Sequence, residues 1–204
     1  MDGVLARVLK SLYKLNKCRV KNRLNEFKQL KEQEQQMEFI FCLLTPQSNA
    51  QRCWEAVEQI FLSREKQEEK LREILKPKTR FHNNKAKYVS ESFKSWNKIQ
   101  SKIKETNIVE LRNWLADNVK GYGLKEASHF LRNIGKSQNK IAILDRHILK
   151  NMKEAKVIED TKIKGRKDYL NKEQAFLKFA SILGIFPDEL DLVLWSKENG
   201  EVFK

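Results

Sequence analysis

Two glycines separated by one residue, Gly121-Tyr122-Gly123, interrupt a helical pattern that continues on both sides of them. Before the turn, apolar residues recur at helical spacing over residues 108–118, and after it the same spacing resumes and ends at Gly135. Glycine adopts left-handed backbone conformations at little cost and leaves its amide uncovered. The segment therefore predicts two helices joined by a tight turn, whose exposed amides can hold a phosphate oxygen.

The remainder of the chain favours an almost entirely helical protein. It has only seven Gly and three Pro in 204 residues, whereas residues of high helix propensity such as Leu, Lys, Glu and Ala are abundant. Residues 36–45, QMEFIFCLLT, are the most apolar stretch and predict a central core helix. We therefore expect an all-α fold. One helical lobe is expected from residues 31–149, which includes the helix pair at about 110–135, and a second from residues 1–30 plus 150–204.

The charge of the chain points to a polyanionic partner. Lys and Arg number 41 against 27 Asp and Glu, which gives a formal net charge of +14 at pH 7. No stretch approaches the eighteen or so apolar residues of a membrane span, and the charged first residues are unlike a signal peptide. We therefore expect a cytoplasmic protein without a membrane partner.

A lysine and an aspartate near the glycine turn are candidates for chemistry. Lys125 lies in the first turn of the second helix, where the helix dipole disfavours an ammonium, so a neutral nucleophilic amine should be available. Asp145 follows the apolar run 141–144 and is placed to be the N-cap of a new helix. An amine with a carboxylate suits attack at a carbon that gains positive charge. The alternative is a plain turn, a solvated lysine and an ordinary helix cap.

Residues 121–133 (GYGLKEASHFLRN) and 144–149 (LDRHIL) resemble the helix-hairpin-helix of the endonuclease III superfamily of DNA glycosylases. More narrowly, they resemble the type 2 8-oxoguanine DNA glycosylase/AP lyases, and the similarity extends to residues 41–45 (FCLLT) and the C-terminal end. Many relatives carry a four-cysteine iron–sulfur loop near the C-terminus. This chain has only three cysteines and none after Cys53, so the resemblance implies a DNA-glycosylase-like fold without that cluster.

The resemblance also implies an activity, namely a bifunctional repair enzyme that excises 8-oxoguanine from double-stranded DNA and nicks the strand at abasic sites. Lys125 would attack C1′ of the sugar, and Asp145 would stabilise the positive charge that develops there. The lysine Schiff base would then collapse by β-elimination, without a metal or organic cofactor. The lobe formed by residues 1–30 and 150–204 would complete the base pocket. A monomer that works on nucleoid DNA of a prokaryotic cytoplasm is expected.

Three residues are expected to recognise the base. In the type 2 enzymes, a lysine at the end of the chain reaches the base pocket and helps to tell 8-oxoguanine from guanine. Lys204 has this place here, with Trp195 nine residues earlier. Phe81, in a basic loop, could stack on the extruded base. The alternatives are a frayed end for Lys204 and a core position for Phe81.

Two further sets of residues are expected to contact DNA. The amides of Gly121 and Gly123 would hold a phosphate, and the spacing i, i+4, i+7 places Lys125, His129 and Arg132 on one helix face that would front the DNA. His129 and His147 could each contact a phosphate.

The loop after Pro46 carries a candidate for the side chain that fills the space left by the extruded base. Gln47 is that candidate, with Asn49 behind it. The alternative is that both only cap the next helix, for which Ser48 with Gln51 makes a capping-box pattern.

Other functions remain open on the sequence alone. A helix-hairpin-helix module that binds DNA without catalysis would need no particular lysine at 125. A sister glycosylase for another lesion, such as an oxidised pyrimidine, would share the hairpin. A basic helical RNA-binding protein is a third alternative, although no RNA-recognition signature is present.

Overall fold

The computed structural model describes residues 3–105 and 107–204. Within these ranges all regular structure is helical, in ten helices and no strand, so the expected all-α class is confirmed. The helices are α1 (Gly3–Lys28), α2 (Glu32–Leu44), α3 (Ala50–Ser63), α4 (Glu68–Leu75), α5 (His82–Ile103), α6 (Ile108–Asn118), α7 (Leu124–Asn133), α8 (Arg146–Glu154), α9 (Arg166–Leu183) and α10 (Pro187–Asn199). None of the helices in the described part of the chain combines the length and apolarity that crossing a bilayer requires.

The helices form two compact units. The first comprises the described residues up to Gln29 together with Leu131–Lys204, and the second comprises Leu30–Phe130. The first unit is therefore assembled from two separate stretches of the chain. Residues 131–149, which we expected in the same lobe as α2, lie in the first unit, because their contacts are to α9 and α10.

The second unit is built on α2. Its residues 38–44 are all buried, which confirms the predicted core helix, although the helix begins earlier than expected. The ring of Phe39 stacks on Tyr122 at 4.7 Å and meets Trp96 and Phe130 edge-on at 5.6 and 5.2 Å. Edge-on and offset-stacked pairs are the geometries that aromatic rings favour. The turn between α6 and α7 thereby rests on the core helix.

The first unit is built on the packing of α1 against α10. Val20, Leu192 and Val193 form a fully buried apolar cluster. Leu12, Tyr13, Leu24 and Val202 pack around this cluster. Since Val202 follows α10, the cluster also holds the C-terminal tail against the body of the unit.

Two of the three cysteines are part of the packed interior. Cys42 and Cys53 are buried free thiols and Cys18 is an exposed one. A buried free cysteine behaves as a small apolar residue. Among the residues that the structure describes, no three His, Cys, Asp or Glu side chains are grouped so as to hold a metal ion.

Candidate active site

The turn between α6 and α7 requires glycine at its first position. Gly121 has φ +87°, and a Cβ added there would lie 2.6 Å from the ring of Tyr88. Gly123 does not adopt a left-handed conformation, so only one of the two glycines is needed for its backbone angles. The Tyr122 hydroxyl donates to the carbonyl oxygen of Phe39 at 2.8 Å, and burial raises its pKa well above the usual value. The turn is therefore fixed to α2 by a tyrosine hydroxyl that stays protonated and so keeps donating its hydrogen bond.

Lys125 lies in the first turn of α7, as predicted, and its side chain is half-buried. Its ammonium nitrogen is 3.0 Å from Oε1 of Glu126. Oε2 of the same carboxylate accepts a hydrogen bond from the amide of Gly123 at 3.1 Å. One carboxylate thus ties the lysine to the glycine turn. Sequence reasoning missed Glu126, although a Glu three residues after a helix-capping position is a recognised signature.

Two buried groups of the second unit interact electrostatically with Lys125. Burial lowers the pKa of Lys85 to about 8, and the positive charge of Lys125 acts in the same direction. Burial raises the pKa of the Cys53 thiol to about 11, a rise that both lysine charges oppose. The neutral thiol contacts the carbonyl oxygen of Leu44 at 3.3 Å. Neither Lys85 nor Cys53 was a candidate on the sequence alone.

His129 and Arg132, which were expected to front the DNA, are buried instead. The imidazole of His129 meets the ring of Phe41 edge-on at 5.6 Å in the second unit. The guanidinium of Arg132 lies 5.4 Å from the ring centroid of Phe27 and 2.9 Å from a carboxylate oxygen of Asp191 in the first unit. The expectation of a surface face is therefore wrong for both, because aromatic residues of their own units cover them.

Asp145 is the N-cap of α8, which confirms the prediction. Its Oδ1 accepts hydrogen bonds from the amides of His147 and Ile148, both at 2.8 Å. The segment that leads to it is held by Tyr169 of α9, whose hydroxyl donates to the carbonyl oxygen of Ala142 at 2.7 Å. The cap and this anchor together fix the direction in which the carboxylate points.

A second acid of the first unit, Asp191, interacts electrostatically with Asp145. Burial raises the pKa of Asp191 to about 7. The Arg132 guanidinium opposes this rise, whereas the charges of Asp145 and Asp188 add to it. Sequence reasoning did not identify this buried acid, because its partners are distant along the chain.

The loop between α2 and α3 presents Gln47 to solvent. Gln47 is exposed and has φ +55°. The N-cap of α3 is Asn49, whose side chain accepts a hydrogen bond from the amide of Arg52 at 3.0 Å. The Ser48 capping box is therefore wrong, and Gln47 is not a cap.

Phe81 lies at the surface of the second unit rather than in its core. It is 53% exposed and has φ +56°, immediately before α5. The guanidinium of Arg80 lies 5.5 Å from its ring centroid. The ring is therefore presented to solvent beside a positive charge.

The C-terminal tail is ordered against α1 and α10 rather than frayed. The rings of Trp195 and Phe203 lie 6.0 Å apart, and the ammonium of Lys204 is 5.9 Å from the centroid of the same Phe203 ring. Nε of Arg23 donates to the carbonyl oxygen of Phe203 at 2.6 Å. Lys204 is only 5% exposed. Phe203 and Arg23, which sequence reasoning missed, hold the two predicted base-recognition residues of the first unit in place.

His147 is half-buried on α8, with both ring nitrogens near charged groups. Its Nδ1 lies 3.8 Å from Glu198, and its Nε2 is 3.1 Å from Nε of Arg146.

The predicted site residues are divided between the units. The second unit holds Gln47, Phe81, Gly121, Gly123, Lys125 and His129, and the first holds Arg132, Asp145, His147, Trp195 and Lys204.

Two helices joined by a glycine turn, with a lysine in the second helix, define a helix-hairpin-helix protein of the all-α class. Comparison with known families narrows this class. The family model described as 8-oxoguanine DNA glycosylase matches residues 20–185. The chain belongs to the 8-oxoguanine DNA glycosylase family.

Individual relatives are similar over nearly the whole chain. An 8-oxoguanine DNA glycosylase/AP lyase of Fusobacterium nucleatum is 39% identical and covers 96% of each chain. The crystal structure of the 8-oxoguanine DNA glycosylase of Thermotoga maritima superposes with a TM-score of 0.89, at 34% identity and 98% coverage of both chains. An 8-oxoguanine glycosylase/lyase of Methanocaldococcus jannaschii, crystallised with a 15mer DNA containing 8-oxoguanine, gives a TM-score of 0.87 at 30% identity, covering 97% of this chain and 100% of that one.

Proposed function

We propose that this chain removes 8-oxoguanine from DNA and then cleaves the strand at the resulting abasic site. Family membership over residues 20–185 supports the activity. The observation that carries the chemistry is the position of Lys125, half-buried in the first turn of α7 and tied to the glycine turn through Glu126. A lysine amine, unlike a water molecule, gives a covalent intermediate and so accounts for both steps.

The reaction begins when the damaged nucleotide leaves the base stack, since its glycosidic carbon is inaccessible within the duplex. The amine of Lys125 bonds to C1′ while the glycosidic bond breaks. The electron pair of the glycosidic bond leaves with the base, which takes up a proton. Asp145 stabilises the positive charge on the sugar. The sugar ring opens to a Schiff base, and loss of a C2′ proton expels the 3′ phosphate.

Four residues are proposed to position the DNA. The turn that contains Gly121 and Gly123 faces a phosphate of the damaged strand, as the turn before a helix N-terminus is suited to do. The Gly121 amide is the proposed donor, because the amide of Gly123 already donates to Glu126. Gln47, exposed on its loop, fills the space that the extruded base leaves. His147 contacts a phosphate near α8.

Base recognition is assigned to Lys204, Trp195 and Phe81. 8-Oxoguanine carries a proton on N7, where guanine has a lone pair. A buried acceptor that faces N7 therefore rejects guanine, because two lone pairs would be left opposed. The ammonium of Lys204 only donates, so the proposed acceptor is a main-chain oxygen of that residue, held in place by the contact of its side chain with Phe203. The contact of Trp195 with the same ring supports a place in the pocket, and the exposed ring of Phe81 is available for stacking.

The place and form of action follow from this chemistry. We propose a monomer, because one chain carries every residue that the reaction uses. We also propose that it works on nucleoid DNA in a prokaryotic cytoplasm, because that DNA is where 8-oxoguanine forms.

An incision assay tests the proposed function. Duplexes with one 8-oxoguanine or one thymine glycol are incubated with the wild-type protein, with Lys125→Gln and with Lys70→Gln. Lys70 is an exposed lysine of α4 paired with Glu73, and its replacement controls for the loss of one charge. We expect cleavage at 8-oxoguanine by the wild type and by Lys70→Gln, and none above background by Lys125→Gln. Preferred cleavage at thymine glycol, or normal cleavage by Lys125→Gln, would refute the proposal.

The base-recognition assignment has a separate test. Lys204→Ala should lower the ratio of 8-oxoguanine to guanine excision by about tenfold or more, which corresponds to about 1.4 kcal/mol of discrimination. Lys167→Ala, at an exposed position of α9, is the matched control and should leave the ratio unchanged. An unchanged ratio in Lys204→Ala would remove that residue from the assignment and leave the catalytic proposal intact.

A further inference from the structure

A buried lysine that takes no part in these reaction steps closes the C-terminal end of α2. Lys85 of α5 is 4% exposed. Its Nζ donates to the carbonyl oxygens of Leu44 at 2.7 Å and Pro46 at 2.9 Å, and to Oγ of Ser48 at 2.9 Å. An ammonium has three N–H donors, and each of them has an acceptor here. Lys85 thus satisfies carbonyls that the end of a helix leaves without intrahelical partners.

The hydroxyl of Ser48 extends this contact to a second loop. Its Oγ accepts a hydrogen bond from the amide of Arg80 at 2.9 Å. Phe81 follows Arg80 directly, and α5 starts at the next residue. One ammonium and one hydroxyl therefore hold the loop of residues 45–49 against the segment that carries Phe81.

Both loops contain a residue in a conformation that it adopts only under constraint. Gln47 has φ +55° and Phe81 has φ +56°, in the left-handed region that favours glycine. Both side chains are nevertheless exposed. Strained backbone persists only where surrounding contacts fix it, and it concentrates at functional sites. The contacts of Lys85 and Ser48 hold the backbone on both sides of Gln47 and directly before Phe81.

We infer that Lys85 is a positioning residue, which holds Gln47 and Phe81 in the conformations that they present to DNA and to the extruded base. This inference rests on the proposed function, because it takes the roles of those two side chains from there. Lys85 is not a second nucleophile, since its nitrogen is buried and engaged as a donor in all three directions. It acts on the reaction only through the two loops.

The first unit supplies a matched control lysine. Lys172 is 8% exposed, and its Nζ contacts the carbonyl oxygen of Lys162 at 2.6 Å and carboxylate oxygens of Asp168 and Asp160 at 2.9 and 3.3 Å. It therefore clamps a loop in the same way as Lys85. That loop carries none of the residues assigned to the site.

The experiment compares single-turnover excision of 8-oxoguanine by full-length wild type, Lys85→Met and Lys172→Met, each at a temperature well below its Tm. Both substitutions should lower Tm, because Lys85→Met leaves the buried carbonyl of Leu44 without this donor, and Lys172→Met removes the cation that pairs with Asp160 and Asp168. Only Lys85→Met should slow excision, by about tenfold, which is about 1.4 kcal/mol at the transition state. Equal rates for the two variants, after folding has been verified, would overturn the inference.

A double-mutant comparison separates positioning from general damage. In a protein that already carries Gln47→Ala and Phe81→Ala, Lys85→Met should slow excision less than about threefold, because the side chains that it positions are gone. An undiminished tenfold loss in that background would contradict the inference. If Lys85→Met does not fold, Ser48→Ala takes its place and should slow excision in the same background-dependent way. A wild type that leaves 8-oxoguanine in place would refute the proposed function, whereas an active wild type with an unaffected Lys85→Met refutes only this inference.

Discussion

At the scale of single residues, Gly121 is a position where both the backbone angles and a neighbouring ring exclude a side chain. A side chain there meets two obstacles, a φ of +87° and the ring of Tyr88, which would lie 2.6 Å from its Cβ. Gly184, with φ +69°, meets only the first, since no described atom lies within 4 Å of a Cβ at that position. A comparison of substitutions at Gly121 and Gly184 therefore separates the cost of backbone strain from the cost of steric overlap.

Gly121→Ala should therefore cost more stability than Gly184→Ala. Backbone strain alone costs about 1 kcal/mol for a non-glycine residue in this region, and the overlap with Tyr88 adds to it at position 121. Urea unfolding of both variants measures the difference. Gly121→Ala should also weaken binding to duplex DNA, measured by fluorescence anisotropy, while Gly184→Ala should not. Equal effects of the two substitutions on both quantities would contradict this account of the turn.

Asp145 is the N-cap of α8 and, in the proposed reaction, also the charge that stabilises the sugar. One pair of substitutions separates the two roles. Asparagine is as good an N-cap as aspartate, whereas alanine costs about 1 kcal/mol at such a position. Asp145→Asn should therefore keep the Tm, and Asp145→Ala should lower it. Both should slow excision by about 100-fold, because each removes the negative charge beside the sugar. Full activity in Asp145→Asn would show that the cap, and not the charge, is what the reaction needs.

Residue-level prediction from the sequence succeeded where the signal is local. The N-cap role of Asp145 and the first-turn position of Lys125 could be predicted, because both depend on the next few residues. The burial of His129 and Arg132 could not be predicted from the sequence. Helical spacing groups residues on one face, but which neighbour covers that face depends on Phe41 and Phe27, far away in the chain.

At the scale of elements, the segment before α8 is positioned by α9. The Tyr169 hydroxyl donates to the Ala142 carbonyl, and Glu173 accepts from the Ala142 amide at 2.9 Å. Both contacts lie within the buried part of the first unit. Asp145 therefore depends on a helix that contributes no atom to the proposed reaction.

Tyr169→Phe should lower both stability and excision. Removal of the hydroxyl leaves a buried carbonyl without this donor, which costs about 1–3 kcal/mol. Tyr13→Phe is the matched control in the same unit, since the Tyr13 hydroxyl lies 2.7 Å from Glu189 on α10. Urea unfolding should register both substitutions, and single-turnover excision only Tyr169→Phe. A loss of excision that is equal in the two variants would mean that stability alone governs the rate.

The elements themselves could largely be predicted, and their ends could not. The apolar run 36–45 predicted the core helix because residues 38–44 are buried on every side of the helix, which leaves an unmistakable composition. The cap of α3 was assigned to Ser48, whereas Asn49 provides it. The Ser48 hydroxyl instead accepts from Lys85 and Arg80, which are 37 and 32 residues away. No local pattern encodes such partners.

At the scale of the whole molecule, the sequence indicated the all-α class and the two-part organisation of the chain. The assignment of residues 131–149 to a unit depended on contacts with α9 and α10, which follow later in the chain. Charge patterning favoured a polyanion but did not distinguish DNA from other polyanions. The hairpin sequence, through its resemblance to a family, supplied that distinction.

Global stability should depend on pH through Lys85. Its folded-state pKa is about 8, lowered from 10.5 mainly by burial. Between these values the unfolded chain holds a proton that the folded protein has released, so stability rises with pH across this window. The free-energy cost of burying the charge is present in full below about pH 8. It disappears above the pKa of the lysine in the unfolded chain, which is 10.5.

Urea unfolding at pH 7 and pH 10 measures this effect in wild type and Lys85→Met. The wild type should gain stability relative to the variant by at most about 1.4 kcal/mol per pH unit across the window. Both proteins carry Cys53→Ala in this experiment, because the charge of Lys85 shifts the pKa of that thiol. The tyrosines titrate in both proteins and cancel in the difference. A difference that is independent of pH would mean that folding does not shift the pKa of Lys85.

The central claim is that the amine at position 125 bonds covalently to the sugar of the damaged nucleotide. Sodium borohydride, added during the reaction, reduces the Schiff base to a stable amine and so traps the protein on the DNA. Mass spectrometry of the digested adduct then identifies the lysine that carries the sugar. The account predicts a trapped complex on 8-oxoguanine DNA, with the adduct on the peptide that contains Lys125, and no complex with Lys125→Gln. An adduct mapped to another lysine of the wild type, or undiminished trapping by Lys125→Gln, would contradict it.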